Sequence, residues 1–265
     1  MHALVNTGIT AARRAGDLIM RYRNRVHNLK VTSKGRNDFV TEIDQQAEAA
    51  IIDTISKTYP AHGFLGEESG RQGNTEAYWI IDPLDGTTNY LHDFPMFCVS
   101  LGFCMRGVME HAVIYDPMSQ ELFTATRGEG AQVDGRKIRV SNRHGLDGAL
   151  IGTGFPYSTL THLDAYMGMF KDVLSQTAGI RRAGSAALDL AYVAAGRLDG
   201  FWEAGLKSWD MAAGTLMIRE AGGLVTSLSG SDSYMESGNI VAGTPKVHGE
   251  LLKLLSPHLN EELRK

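Results

Sequence analysis

Cysteine is nearly absent from this chain. Cys98 and Cys104 are the only two among 265 residues, and both fall in an apolar stretch. That excludes a disulfide framework and a multi-cysteine zinc site, and the pair reads as buried thiols of a reducing compartment. An excess of positive charge is missing too. Lysine and arginine number 26 against 30 acids, a formal net charge of −4, so direct DNA binding is not expected. There is no apolar run of eighteen residues, and the N-terminal stretch carries Arg13, Arg14 and Asp17 inside a helical pattern. The expectation is a cytoplasmic protein without signal peptide or membrane span. Neither a fixed-period repeat, nor a low-complexity tract, nor a linker-like segment stands out. A chain of this size buries roughly 70–75 % of its unfolded surface without staples. One domain over 1–265 is expected, with a soft internal boundary near 145–150.

What is present is a readable alternation of periods. Ala3 to about Tyr22 places Leu4, Gly8, Ala12, Ala15, Gly16 and Ile19 on one helical face. Residues 33–38 read as a polar turn. Thr41-Glu42-Ile43-Asp44, which resembles a capping box, opens a second helix that Pro60 ends. Gly63-Phe64-Leu65 is strand-like and delivers Gly66-Glu67-Glu68-Ser69, and residues 70–77 read as polar loop. Strands follow at 97–105, 110–115 and 121–126, then a hairpin turn at Asp134-Gly135. Strands near 149–155, 199–203, 223–227 and 239–242 then alternate with helices near 160–176, 185–195, 209–221 and 245–256. Leu251–Leu263 is amphipathic and reads as a docked helix. Helices with an antiparallel sheet, followed by alternating strand and helix, predict an α+β fold built in layers.

The chemistry concentrates in acids that follow strands or open helices beside glycine. Asp82-Pro83-Leu84-Asp85-Gly86-Thr87 follows the apolar run Tyr78-Trp79-Ile80-Ile81. Proline fixes φ between the two carboxylates, and Gly86 lets the backbone turn sharply. Two oxygen donors at a rigid strand end suit a hard divalent cation such as Mg²⁺. The N–H groups and hydroxyls of Gly86, Thr87 and Thr88 suit a phosphate. On spacing alone an acidic turn with an Asx cap stays open as the other reading. So do a capping role for Asp44, a helix-start role for Asp210 and a solvated turn for Glu67-Glu68. Spacing does not show that these acids converge. His92 and His111 lack metal-ligand spacing, and Gly128-Glu129-Gly130 is no dinucleotide fingerprint because no strand-to-helix unit surrounds it.

The motifs together resemble a known family. Gly66-Glu67-Glu68-Ser69, then Trp79-Ile80-Ile81-Asp82-Pro83-Leu84-Asp85-Gly86-Thr87-Thr88-Asn89, then Trp209-Asp210-Met211-Ala212-Ala213-Gly214 through Glu220-Ala221-Gly222-Gly223 look like the signatures of the inositol monophosphatase family, in its order. The similarity continues through Gly35-Arg36-Asn37-Asp38-Phe39-Val40-Thr41 and Arg182-Ala183-Gly184-Ser185-Ala186-Ala187-Leu188-Asp189, so it covers nearly the whole chain. Residues 125–131 and 188–196 look closest to the bacterial SuhB type within it.

The resemblance implies a layered α-β-α-β-α sandwich, a homodimer, and two to three Mg²⁺ ions per site. Glu67, Asp82 and the backbone carbonyl of Leu84 match the ligands of a first metal. Asp82, Asp85 and Asp210 match those of a second, and Glu67 also matches a contact to a weaker third. Thr87, with Asp44 behind it, matches the pair that orients the attacking water. The N–H groups of Gly86 and Thr87 match the phosphate cradle. Glu203 matches the carboxylate that accepts a hydrogen bond from an inositol hydroxyl, and Gly184, Ser185 and Ala186 match the segment beside the inositol ring. The implied reaction is Mg²⁺-dependent hydrolysis of inositol monophosphate to inositol and phosphate, by in-line attack of a metal-activated water without a phosphoenzyme and with inhibition by Li⁺. The same metal core serves 3′-phosphoadenosine-5′-phosphate, fructose-1,6-bisphosphate and histidinol-phosphate phosphatases. Glu203 at the inositol-contact position favours the inositol ester, and nucleotide or bisphosphate substrates would want extra cations, of which residues 155–185 offer only Lys171, Arg181 and Arg182. SuhB-type proteins also resemble factors that bind other proteins in bacterial transcription antitermination, which is the alternative from outside enzymology.

Overall fold

The computed structural model describes residues 2–23, 31–35, 38–155 and 160–264. Arg36 and Asn37 of the Gly35–Thr41 motif lie outside them. The first part of the chain forms α1 (Ala3–Arg23), β1 (Val31–Gly35), β2 (Asp38–Thr41), α2 (Glu42–Thr58), β3 (Gly63–Gly66), β4 (Gly70–Gln72), β5 (Ala77–Asp85) and α3 (Thr87–Leu91). A run of strands follows: β6 (Cys98–Met105), β7 (Val108–Asp116), β8 (Glu121–Thr126), β9 (Gly130–Val133), β10 (Arg136–Ile138) and β11 (Leu150–Thr153). The remainder alternates: α4 (Leu163–Gln176), β12 (Gly179–Arg181), α5 (Ala186–Ala194), β13 (Gly200–Glu203), α6 (Ser208–Glu220), β14 (Leu224–Thr226), α7 (Tyr234–Ser237), β15 (Ile240–Gly243) and α8 (Pro245–Leu255).

One sheet has the order β10-β9-β8-β7-β6-β5-β3-β4, a second has the order β12-β11-β13-β15-β14, and β1 and β2 pair separately. The first is antiparallel except where β3 meets β5, and the second is mixed. The last strand of the first sheet ends at Ile138 and the first strand of the second starts at Leu150.

Alternation along the strands sorts the layers. Val113 and Tyr115 of β7 lie in one apolar core with α1 and α2. Gly8 and Gly16 make that approach possible, since a Cβ on Gly16 would lie 2.6 Å from the Tyr115 ring. The intervening Ala112 and Ile114 belong instead to a core with α5 and α6. Phe201, Ile240 and Ala242 of the second sheet enter that same core. Their neighbours Trp202 and Val241 pack with Val247 and Leu251 of α8 and Met169 of α4. The layers therefore run α1/α2, first sheet, α5/α6, second sheet, α4/α8, which is the α-β-α-β-α order. Helices α5 and α6 are covered on both sides, and their apolar residues surround them accordingly. No helix among the described residues is long and apolar enough to cross a membrane.

Two expectations need correction. Residues 70–77 are not all loop, because Gly70, at φ 69°, turns the chain so that β4 folds back on β3. The helix expected over Leu251–Leu263 stops at Leu255, where Pro257 sits in a 3₁₀ turn, Ser256–His258. Leu259 and Leu263 beyond it are still buried, so the segment docks without being helical throughout.

The central layer is closely packed. A Cβ on Gly214 of α6 would run into Leu190 of α5, lying 2.9 Å from its Cδ1. Alanine gains about 1 kcal/mol over glycine in a helix interior, while overpacking costs typically about 1–3 kcal/mol. Gly214→Ala is expected to destabilise the chain by about 1 kcal/mol, read as a lower urea midpoint at unchanged slope. A higher midpoint would show that α5 and α6 separate freely.

Candidate active site

The Asp82–Asp85 motif lies within β5 and not beyond its end. Pairing with β6 continues through Asp82 opposite Ser100, then shifts register and resumes at Asp85 opposite Cys98. The irregularity takes Pro83 out of the ladder, where its missing N–H is harmless. Leu84 donates its N–H to Asp82 Oδ1 at 3.0 Å. The Asx turn open on spacing alone is therefore real, and it orients the same carboxylate that the resemblance makes a metal ligand.

Two elements bring further acids to this bend, and a third holds Asp85. Asp85 Oδ2 accepts from Ser185 Oγ and from the Ala187 N–H, each at 2.7 Å, so the start of α5 buttresses it. Asp210, in the first turn of α6, accepts the Lys207 N–H at 2.6 Å. Oxygens of Asp82, Asp85 and Asp210 lie within 4.8 Å of one another. Glu67 comes from the turn between β3 and β4 and stands close enough to Asp82 to repel its charge.

The electrostatics follow from that crowding. Burial, then Glu67, Asp85 and Asp210, push the Asp82 carboxyl well above the usual range. Burial raises Asp85 against the bonds from Ser185 and Ala187. Burial and the Asp85 charge push Asp210 up to about 8. Like charges held this close are stable together only when protonated or bridged by a cation. An all-oxygen, all-acid donor set suits a hard divalent ion such as Mg²⁺, so the residues fit the group that the resemblance implies.

Gly86, at φ 98°, turns β5 into α3, and a Cβ there would lie 2.8 Å from Met96 O. Thr87 Oγ1 lies 2.9 Å from Asp44 Oδ1 and 3.0 Å from Leu84 O, so its single proton is shared between two acceptors. Asp44 is buried behind it. Asn89 Nδ2 donates to Met96 O at 2.7 Å and to Ala183 O at 2.9 Å, tying α3 to the turn before α5. That places Gly184, Ser185 and Ala186 beside Gly86 and Thr87. One open cleft of about 380 Å³ takes in Glu67, Asp82, Leu84, Asp85, Gly86, Thr87, Gly184, Ser185, Ala186, Glu203 and Asp210.

Glu203, at the end of β13, packs on Gly154, where any Cβ would overlap its carboxylate. Burial, then Asp189 and Asp210, push Glu203 well above the usual range, while Arg182 opposes the shift. Asp189 is 2 % exposed and lines the same cleft, and Arg182 stacks 4.8 Å from the Phe155 ring centroid. Sequence reasoning gave Asp189 and Asn89 no role. Each stood inside a quoted motif, so motif membership was their only signal. Trp202 is 1 % exposed, as a packing residue should be, whereas Trp209 lines the cleft.

Without a cation, the folded chain holds the Asp210 proton up to about pH 8, against an ordinary value of 3.8. Folded protein then binds more protons than unfolded protein between those values, so stability falls as pH rises through them. In chelator, Asp210→Asn is expected to gain several degrees of melting temperature over wild type between about pH 5 and about pH 8. Mg²⁺ should reverse the order at the upper pH. A difference that does not change with pH would contradict the crowding argument.

Comparison with known proteins agrees with the geometry. Residues 1–261 match the model of the inositol monophosphatase family. Nus factor SuhB of Pseudomonas aeruginosa is 50 % identical over 271 residues, covering 100 % of both chains. The structure of extragenic suppressor protein suhB from Bartonella henselae superposes with a TM-score of 0.95 at 45 % identity, over 97 % of this chain and 100 % of that one. A Thermotoga maritima IMPase gives 0.89 at 34 % identity, over 98 % of this chain and 100 % of that one. With its motifs, its layers and its acid cluster in agreement, the chain belongs to the inositol monophosphatase family.

Proposed function

We propose that this chain is a Mg²⁺-dependent phosphomonoesterase that hydrolyses inositol monophosphate to inositol and phosphate. The observation that carries the reading is the meeting of Asp82, Asp85 and Asp210 within 4.8 Å, beside a Thr87 hydroxyl hydrogen-bonded to a buried Asp44. Glu67, Asp82 and the Leu84 carbonyl would hold one cation, and Asp82, Asp85 and Asp210 a second, with Glu67 serving a third. Bound there, such ions neutralise phosphate charge and acidify water. The residues do the rest. Thr87 Oγ1, fixed by Asp44 and Leu84, orients the entering water, and Asp44 takes its proton through that hydroxyl. The N–H groups of Gly86 and Thr87 receive the phosphate oxygens. The attack is direct and in line, by water, without a phosphoenzyme, as the family resemblance implies. Glu203 accepts a hydrogen bond from a hydroxyl of the polyol, and Gly184, Ser185 and Ala186 border its ring.

A second reading is supported by the full-length identity to a Nus factor SuhB. In it the chain binds proteins of transcription antitermination and keeps its catalytic site. The proposal also retains a cytoplasmic homodimer. The exposed apolar row Leu163, Met167 and Leu174 along α4 is the observation in favour of self-association.

The test is phosphate release from inositol 1-phosphate, fructose 1,6-bisphosphate and 3′-phosphoadenosine 5′-phosphate with Mg²⁺. Selective turnover of the inositol ester, suppressed by Li⁺, is expected. Asp85→Asn should lower kcat about 10²–10³-fold, the scale of losing one charge-stabilising group. Glu203→Gln should raise KM for the inositol ester about tenfold, roughly one buried hydrogen bond, and leave the other esters unchanged. Equal losses on all three would refute the role given to Glu203. Loss of a cellular phenotype with Asp85→Asn would count against the binding reading, and its survival would favour it.

A further inference from the structure

The turn that carries Glu67 is gripped from behind by a carboxylate the chemistry does not use. Glu48, on α2, is 2 % exposed. Its Oε2 accepts the Glu68 N–H at 3.0 Å, and its Oε1 accepts the Ser69 N–H at 2.8 Å. Each oxygen thus holds one backbone group at the tip of the turn, next to Glu67. Gly66 makes the room, since a Cβ there would overlap the carboxylate and lie 2.7 Å from Oε1. On the other side, the Glu67 N–H donates to Ile81 O at 3.1 Å, beside Asp82. Glu48 also lies one helical turn after Asp44 on the buried face of α2. A single rigid helix face therefore anchors both limbs of the cleft, Thr87 through Asp44 and Glu67 through Glu48.

We propose that Glu48 is a positioning residue that fixes the Glu67 carboxylate against Asp82 and thereby sets the affinity of the site for a divalent cation. The proposal rests on the metal reading of the acid cluster. Two charge-assisted bonds to adjacent N–H groups define the orientation of a turn far better than one. An amide in place of the carboxylate turns an NH₂ toward an N–H and leaves both unsatisfied.

The experiment is calorimetric titration of Mn²⁺ into the full chain as wild type, Glu48→Gln, Glu67→Gln and the double variant. Glu48→Gln is expected to weaken the tightest Mn²⁺ binding about 10–100-fold, the range for partners that orient a ligand. Because Glu48 acts through Glu67, the double variant should bind no more weakly than Glu67→Gln alone. A purely structural role would lower the melting temperature without that non-additivity. Glu48→Asp keeps the charge on a shorter arm and is expected to lose less, which supplies a second variant should the amide not fold. Binding by Glu48→Gln within about twofold of wild type, or losses that simply add, would overturn the proposal. A wild-type chain that binds no Mn²⁺ overturns the metal reading and the proposal together, whereas wild-type binding that ignores residue 48 overturns only the latter.

Discussion

The cost of holding like charges together out of bulk water organises this molecule. Asp82, 2 % exposed, faces Glu67, Asp85 and Asp210, and each neighbour disfavours its ionised form. A chain free to relax would swing such carboxylates apart toward solvent. Here the backbone forbids it. A register shift in β5 sets Asp82 and Asp85, the β3–β4 turn sets Glu67, and the first turn of α6 sets Asp210. The strain in that arrangement is electrostatic, and a divalent cation bound there would relieve it.

The layered fold supplies the rigidity. Helices α5 and α6 lie between the two sheets, and both begin at the cleft, where α5 donates to Asp85 and α6 carries Asp210. Their close contact at Gly214 and Leu190 fixes one helix start relative to the other. From the opposite side of the first sheet, α2 reaches the cleft with Asp44. Packing far from the acids thus sets distances among them, as expected for a site supported by rigid elements rather than by free loops.

Much of this was legible in the sequence. The apolar pattern placed α1, α2, α6 and the strands β6 to β8 within a few residues, because each is long enough to show one, as a stripe in α1 and α2 and as a nearly continuous run in the others. Short elements escaped it: β4 and β12 have three residues each, too few to show a period. Pro257 is a stop signal inside the apolar pattern of the last helix, and its missing N–H outweighs the pattern. In the cleft, the acids of the motifs were legible as candidates, but their meeting was not, since Glu67 and Asp210 are far apart in sequence. Only the family resemblance linked them. Glu48 was invisible for a plainer reason: on sequence it is one more acid on an amphipathic helix, and its partners are backbone N–H groups with no residue identity to read.

The most direct measurement is anomalous diffraction from crystals of the chain grown with Mn²⁺. Two peaks sharing Asp82 are expected, one against Glu67 and the Leu84 carbonyl, the other against Asp85 and Asp210. Ordered carboxylates with no peak between them, or Mn²⁺ held by residues elsewhere, would contradict the account.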